Sequence, residues 1–318
     1  MGPTGVLLVN LGSPEEPTIK AVRRFLDEFL GDRYVIDTPR LLWWLVRKLV
    51  ILPTRPNKSA HAYAQIWTDE GSPLIAISRR QRAALAAELG DEYRVALGMR
   101  YGNPSIDAAV EELASTGCER FVLLPMFPQV TRATNGTVLV ATEAAASRHD
   151  LQFVEADLYF DDPGYIEPLA AKLEEAVARA EPDHVLLSFH GLPERFVEQG
   201  GDPYREHCEA TATAVAKRAG LDDGNWTLTY QSRFGREEWL KPATAEVIDA
   251  MAATHPRLVV ACPGFPADCL ETLEEIGLTA RASFLAAGGT HFELVDCLND
   301  APGWIDGMGA IVRRSGLQ

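Results

Sequence analysis

The sequence predicts an α/β protein of two doubly wound domains, each with a parallel sheet flanked by helices. Three observations carry that prediction. Short apolar runs recur along the chain, helical patterns lie between them, and the residues of unusual chemistry gather in the loops that follow the runs. The runs are "GVLLVN" (5–10), "YRVALGM" (93–99), "RFVLLPM" (120–126), "LQFVEAD" (151–157), "HVLLSF" (184–189), "WTLTYQ" (226–231) and "RLVVAC" (257–262). Their length and β-branched content read as strands. Segments 73–89, 104–116, 166–180 and 242–252 place apolar residues at helical spacing. Strands joined through helices pair in parallel, because a crossover returns the chain to the same end of the sheet. Two sets of about four strands fit the pattern, with the break near residue 150. Residues 1–149 and 150–300 are the expected domains, although no Pro/Gly linker marks the break.

Composition narrows the function. The chain of 318 residues is long enough to bury real cores without covalent staples. Its five cysteines, Cys118, Cys208, Cys262, Cys269 and Cys297, are odd in number and never form a CxxC pair, so neither a disulfide framework nor a zinc cage is indicated. A formal charge of −15 with no dense Lys/Arg stripe would repel a phosphate backbone, which argues against nucleic acid as a partner. "MGPTGVLLVNLGSPEEPT" lacks the basic start and long apolar core of a signal peptide, so a cytosolic chain is expected. "RLLWWLVRKLVIL" (40–52) is the most apolar window, yet it falls short of the roughly 20 residues a bilayer span needs.

In open α/β sheets the loops after the carboxyl ends of the strands build the site. Here they are "LGSPEEP", "RYGNPS", "FPQVTRATNG", "HGLPERF", "QSRFGREEW" and "CPGFPADCLE", none of them a phosphate-cradling glycine motif. "LSFHG" is not the GxSxG elbow of a serine hydrolase. His190 directly follows a strand, where an imidazole, which titrates near neutrality, could act as a base or simply bond a nearby carbonyl in a turn. In "CPGFPADCLETLEEIG" (262–277), Asp268 reads as a helix N-cap with Glu271 three residues on, and Glu275 lies one turn further on the same face. The pair is either a helix-start signature or two stacked carboxylates that pass protons or hold a cation. Arg55, Lys58, Arg100 and Tyr101 suit a flat anionic ligand, whereas Tyr63 and Trp67, four apart, also fit a packed helix face. "LLWWLV" fits a buried helix as well as an exposed apolar lip.

Seven motifs, "LLVNLGSPEEPT", "RPNKSAHAYAQIW...GSPL", "GMRYGNPS", "LLPMFPQ", "SFHGLPERF...GDPY", "YQSRFGREEWLKPAT" and "CPGFPADCLETLEEI", occur in order from end to end. Together they resemble the ferrochelatase family. The resemblance implies two Rossmann-like, chelatase-like halves around a porphyrin cleft, with Fe²⁺ inserted into the porphyrin at a last or near-last step of haem synthesis. It implies His190 as the active-site histidine and Glu271 and Glu275 as the acidic pair, with His190 and Glu271 meeting the metal and Glu275 on a proton or metal path. It places Leu11, Arg55, Lys58, Tyr63, Ser72, Arg100, Tyr101, Trp239 and Phe265 at porphyrin positions. It also makes 40–72 a porphyrin-lip segment and joins a C-terminal helix, 301–318, to the first domain.

Three departures from the family pattern stand out. Cys269 and Leu270 precede Glu271 where many relatives have a histidine. Phe127 and Val130 replace the tyrosines of the usual "YPQYS" loop. Arg132 falls where cluster-bearing relatives start an iron–sulfur site, so no cluster and no permanently bound cofactor are expected. Leu11, where coproporphyrin-type relatives typically carry Tyr, together with the apolar 40–52 segment, favours protoporphyrin IX over coproporphyrin. Fe²⁺ is then a substrate, and the apolar lip a possible peripheral membrane contact at the cytoplasmic face. A non-catalytic tetrapyrrole carrier and a sirohydrochlorin-type cobalt chelatase are the other readings.

Overall fold

The seven apolar runs and one further segment pair through their backbones in the computed structural model, which describes residues 2–235 and 237–316. They are β1 (Thr4–Asn10), β2 (Tyr93–Met99), β3 (Arg120–Pro125), β4 (Gln152–Glu155), β5 (His184–His190), β6 (Trp226–Gln231), β7 (Arg257–Ala261) and β8 (His291–Leu294). All pairings are parallel, and the two four-stranded sheets are wound alike, as β2-β1-β3-β4 and β6-β5-β7-β8. Helices cover both faces of such sheets, which is why β1 and β5 read as unbroken apolar runs buried along nearly their whole length. Strand order reverses between β1 and β3 in one sheet and between β5 and β7 in the other. In open α/β sheets such reversals are where ligand crevices form, beyond the strands' carboxyl ends.

The helices begin and end on local chemistry. Pro73 starts the helix Pro73–Leu89 and Gly90, at φ 76°, stops it. Ser105 and Asp162 cap Ile106–Ser115 and Pro163–Ala180 through hydrogen bonds to Ala108 N and Gly164 N. The sequence missed β8, an edge strand of four residues whose only buried side chain is Phe292. So short a segment carries no alternation to detect.

The chain divides into two units, the first comprising 1–127, 131–157 and 308–318, the second 128–130 and 158–307. The division falls at Asp157/Leu158, later than the break near 150 read from the sequence. β4 is the reason: it pairs with β3 and belongs to the first sheet. The C-terminal helix Pro302–Arg314 contributes to both units, and of the segment 301–318 assigned to the first domain only the part from Met308 clusters there; Leu317 and Gln318 lie outside the described residues. Its first turns pack Trp304, fully buried, against Tyr159 and Tyr165.

The buried-helix reading of "LLWWLV" is corrected. Arg40–Val46 forms a helix without a buried residue, continued by a π-helical turn at Arg47–Ile51. Leu41 is 75% exposed, Leu49 69% and Trp44 49%. The charges that interrupt the run turn toward Asp27, with Lys48 Nζ at 2.6 Å and Arg47 Nε at 3.4 Å. No described helix is long and apolar enough to cross a membrane.

Candidate active site

In the second unit, β5 ends at His190, on the carboxyl edge of the sheet at the reversal. Its Nδ1 lies 2.6 Å from the carbonyl oxygen of Gly191. A carbonyl only accepts, so Nδ1 carries the proton and Nε2 is left as the basic nitrogen. This is the carbonyl bond of the turn-residue reading, and it fixes the tautomer of the neutral ring without excluding a base at Nε2. Tyr204 Oη donates to the His190 carbonyl at 2.8 Å. The turn that follows is braced by backbone bonds from Leu240 N to Leu192 O and from Glu194 N to Glu238 O. Trp239 is buried over Gly191, where a Cβ would meet Gln231 O at 2.8 Å and the indole at 3.1 Å. Only glycine fits there. Phe265, half-buried, has its ring 6.5 Å from that of His190.

The acidic pair comes from the other side of the reversal. After β7 the chain forms a ten-residue π-helix, Glu271–Ala280, longer than the single-turn bulges in which this geometry mostly occurs. The capping-box reading of Asp268 and Glu271 is corrected. Asp268 N donates to Asn299 Oδ1 at 2.9 Å, and the Asp268 carboxylate accepts from Thr272 Oγ1 at 2.9 Å and Asn299 Nδ2 at 2.7 Å. Asp268 thus ties the segment to the turn after β8 instead of capping a helix, and no bond from the Asp268 amide engages Glu271.

Glu275 is held by one residue. Ser232 donates to its carboxylate through both N–H, at 2.7 Å, and Oγ–H, at 2.6 Å. Ser232 sits at φ 65°, a left-handed backbone that aims both donors the same way. Burial pushes the Glu275 carboxyl above the usual range; the Ser232 bonds oppose this, as does His190 when its ring is protonated, and Glu271 adds to it. His190, Glu271 and Glu275 thus form one electrostatic group. Among the described residues no three His, Cys, Asp or Glu side chains form a metal cage.

The first unit places its candidates differently. Leu11, half-buried, follows β1. Arg55 and Lys58 are exposed on the helix Leu52–Ile66. Tyr63 is buried and meets Trp67 edge-on at 6.2 Å, the packed-face arrangement, and Ser72 is buried beside Pro73. Arg100 is not an open cation: Nη2 lies 2.5 Å from Asp32 Oδ2 and Nε donates to Thr137 Oγ1 at 2.7 Å. Tyr101, 1% exposed, donates to the same Asp32 oxygen at 2.9 Å. Beside this group opens a cleft of about 1100 Å³, lined by Tyr34, Trp43, Trp44, Arg100, Tyr101 and Arg132 among others.

Asp32 is the hub of that network. Despite the opposing cost of burial, bonds from Thr137 and Tyr34 N and the charge of Arg100 hold its carboxyl below the usual range. Asp32→Ala leaves Arg100 without its charge partner and is expected to destabilise the fold by about 3 kcal/mol. A depressed folded pKa contributes stability above the unfolded value and loses it as pH falls through the folded one. The gap in melting temperature between wild type and variant should therefore be full above about pH 4 and close below it. A gap that stays constant into acid would contradict this.

Sequence reasoning missed Asp32, Ser232 and Gln231. Ser232 lay in a loop already singled out, "QSRFGREEW", and its position one residue past a strand end was the available signal. Asp32 pairs with residues 68 to 105 positions away and gives no local sign.

The two like-wound sheets define a chelatase-type fold. The sirohydrochlorin chelatase SirB from Bacillus subtilis subspecies spizizenii, solved in complex with cobalt, superimposes with a TM-score of 0.58 over 98% of this chain and 95% of that one, at 10% identity. The ferrochelatase family model matches residues 3–316. The ferrochelatase of Chromobacterium violaceum is 44% identical over 98% of this chain and 88% of its own, and that of Methylococcus capsulatus 46% identical over 95% and 94%. The chain belongs to the ferrochelatase family, enzymes that insert a metal into a porphyrin.

Proposed function

We propose that the protein inserts Fe²⁺ into protoporphyrin IX with release of two protons, giving haem b as a step of haem synthesis. The observation that carries this reading is the His190 tautomer, with Nε2 left basic on a ring that shares one electrostatic group with Glu271 and Glu275. A free-base porphyrin carries two inner N–H protons in a stiff ring. Metal entry requires that the ring bend and both protons leave. Nε2 of His190 takes a pyrrole proton, and the carboxylates, one of them biased toward protonation by burial, pass protons on or strip water from the incoming Fe²⁺. Remote contacts along the ring offset the cost of distortion. Leu11, Arg55, Lys58 and Phe265 are assigned to those contacts, and Tyr63, Ser72, Arg100, Tyr101 and Trp239 to the walls that support them. Since copper, nickel and zinc bind N/O sites more tightly than iron, selection of Fe²⁺ rests on geometry and supply, and zinc insertion in vitro is expected.

Protoporphyrin IX is favoured because each extra carboxylate of coproporphyrin needs a partner or costs several kcal/mol to desolvate. Arg100 is already paired, which leaves fewer cations for propionates, and the exposed face of Leu41, Leu42, Trp44, Leu45 and Leu49 suits vinyl edges. The test is kcat/KM for both porphyrins in detergent. Trp44→Glu is expected to narrow the preference for protoporphyrin by about tenfold, ~1.4 kcal/mol. Trp43 is the wrong residue for that purpose, being half-buried with its indole N–H on Leu30 O at 2.6 Å. A preference for coproporphyrin would overturn the substrate choice. The same face is assigned to peripheral contact with the inner leaflet from the cytoplasm, through apolar burial and not charge attraction, given the net charge of −15.

No iron–sulfur cluster belongs to this reading. All five cysteines are buried, and burial pushes the thiols of Cys208, Cys262, Cys269 and Cys297 well up, against the thiolate that cluster ligation needs. Arg132 lies 3.9 Å from Asp37. Purified protein is expected to lack labile sulfide and visible cluster absorption; a brown protein with stoichiometric sulfide would contradict this.

A further inference from the structure

Gln231 ends β6, is 3% exposed, and has both ends of its amide occupied. Nε2 donates to the backbone carbonyl of Glu271 at 2.8 Å. Oε1 accepts from Ser188 Oγ at 2.8 Å and Cys262 Sγ at 3.6 Å. Two donors face one end and a carbonyl faces the other, so the amide fits in one orientation only. Behind it the Ser188 hydroxyl lies 2.8 Å from Thr244 Oγ1, which lies 2.9 Å from Thr229 Oγ1, all three residues buried. Buried polar chains whose members are all satisfied hold one geometry.

The backbone of the same residue reaches the histidine. Gln231 is the register partner of His190 in the β5/β6 pair, and its carbonyl accepts at 2.7 Å from the N–H of Gly191, the residue whose own carbonyl oxygen fixes the imidazole. The next residue, Ser232, clamps Glu275. We infer that Gln231 is a positioning residue that fixes His190 and the first turn of the π-helix relative to each other. It touches no reacting atom. This rests on the assignment of His190 and Glu271 to the chemistry above.

The test uses Gln231→Met, nearly isosteric but apolar, and Gln231→Glu, which keeps the acceptors and loses the donor, in the full chain, with Zn²⁺ insertion into porphyrin as the assay. Both are expected to lower kcat by roughly 10–100-fold, with KM for porphyrin unchanged within about threefold. Gln231→Glu should regain activity as pH falls, because the protonated acid again donates to Glu271 O. Wild type should show no such gain. A kcat within about twofold of wild type for Gln231→Met, or a Gln231→Glu pH profile superimposable on that of wild type, overturns the inference. If Gln231→Met fails to fold, the profile of Gln231→Glu decides. His190→Ala and Glu271→Gln are run in parallel. Activity in those variants sinks the chemical assignment, whereas their inactivity beside fully active Gln231 variants sinks only the positioning role.

Discussion

His190→Ala is expected to lower metal insertion by roughly 10²–10⁴-fold, the range that a positioned base contributes, while porphyrin binding stays within about twofold. The two effects separate because the lost group is a nitrogen lone pair and not a wall of the pocket. His190 is half-buried at the end of β5, and the burial nearby is supplied by Trp239 and Tyr204. The fold should survive, since Gly191 N keeps its bond to Gln231 O without the imidazole. Porphyrin fluorescence quenching measures binding and the metalloporphyrin spectrum measures turnover. Wild-type turnover in the variant would remove His190 from the mechanism.

Glu271→Gln is expected to cost about 10²-fold in kcat with little change in melting temperature. The structure removes the reason for expecting a stability loss, because Asp268 is satisfied by Thr272 and Asn299 and does not depend on Glu271 as a capping partner. The bond from Gln231 goes to the Glu271 backbone and is kept in the variant. Glu275→Gln should cost less, about tenfold, since Ser232 already occupies that carboxylate and Gln can still accept one of its two bonds. A drop in melting temperature for Glu271→Gln with kcat retained would mean that the side chain is structural.

Those two carboxylates show how far the sequence could be read. Their position after β7 follows from an apolar run that stops at "CPG", and His190 follows from "HVLLSF" in the same way, so both sides of the β5/β7 reversal were legible. The π-helix was not, because an i→i+5 ladder uses the same residue types as an α-helix, and Asp268 with Glu271 mimics the start of one. Ser232 and Gln231 were hidden for another reason. Their roles depend on a left-handed backbone and on partners about 40 residues away in sequence, which no local pattern encodes. In the first unit, Arg100 looked like a ligand cation until the fold brought Asp32 to it. The lip, by contrast, was ambiguous only about exposure. Arg47 and Lys48 resolve it by turning to Asp27, which leaves the leucines outward.

The central claim is that this chain drives a metal into a porphyrin by removing its inner protons. The most direct measurement mixes Fe²⁺ and free-base protoporphyrin IX with catalytic amounts of protein under anaerobic conditions, and follows the absorbance spectrum together with proton release in weakly buffered solution. The account expects the spectrum to convert to that of haem at a rate proportional to protein, with two protons released per porphyrin, and expects both signals to vanish in His190→Ala. Porphyrin that binds but keeps its free-base spectrum, with no protons released beyond the protein-free rate, would contradict the account and leave a tetrapyrrole carrier in its place.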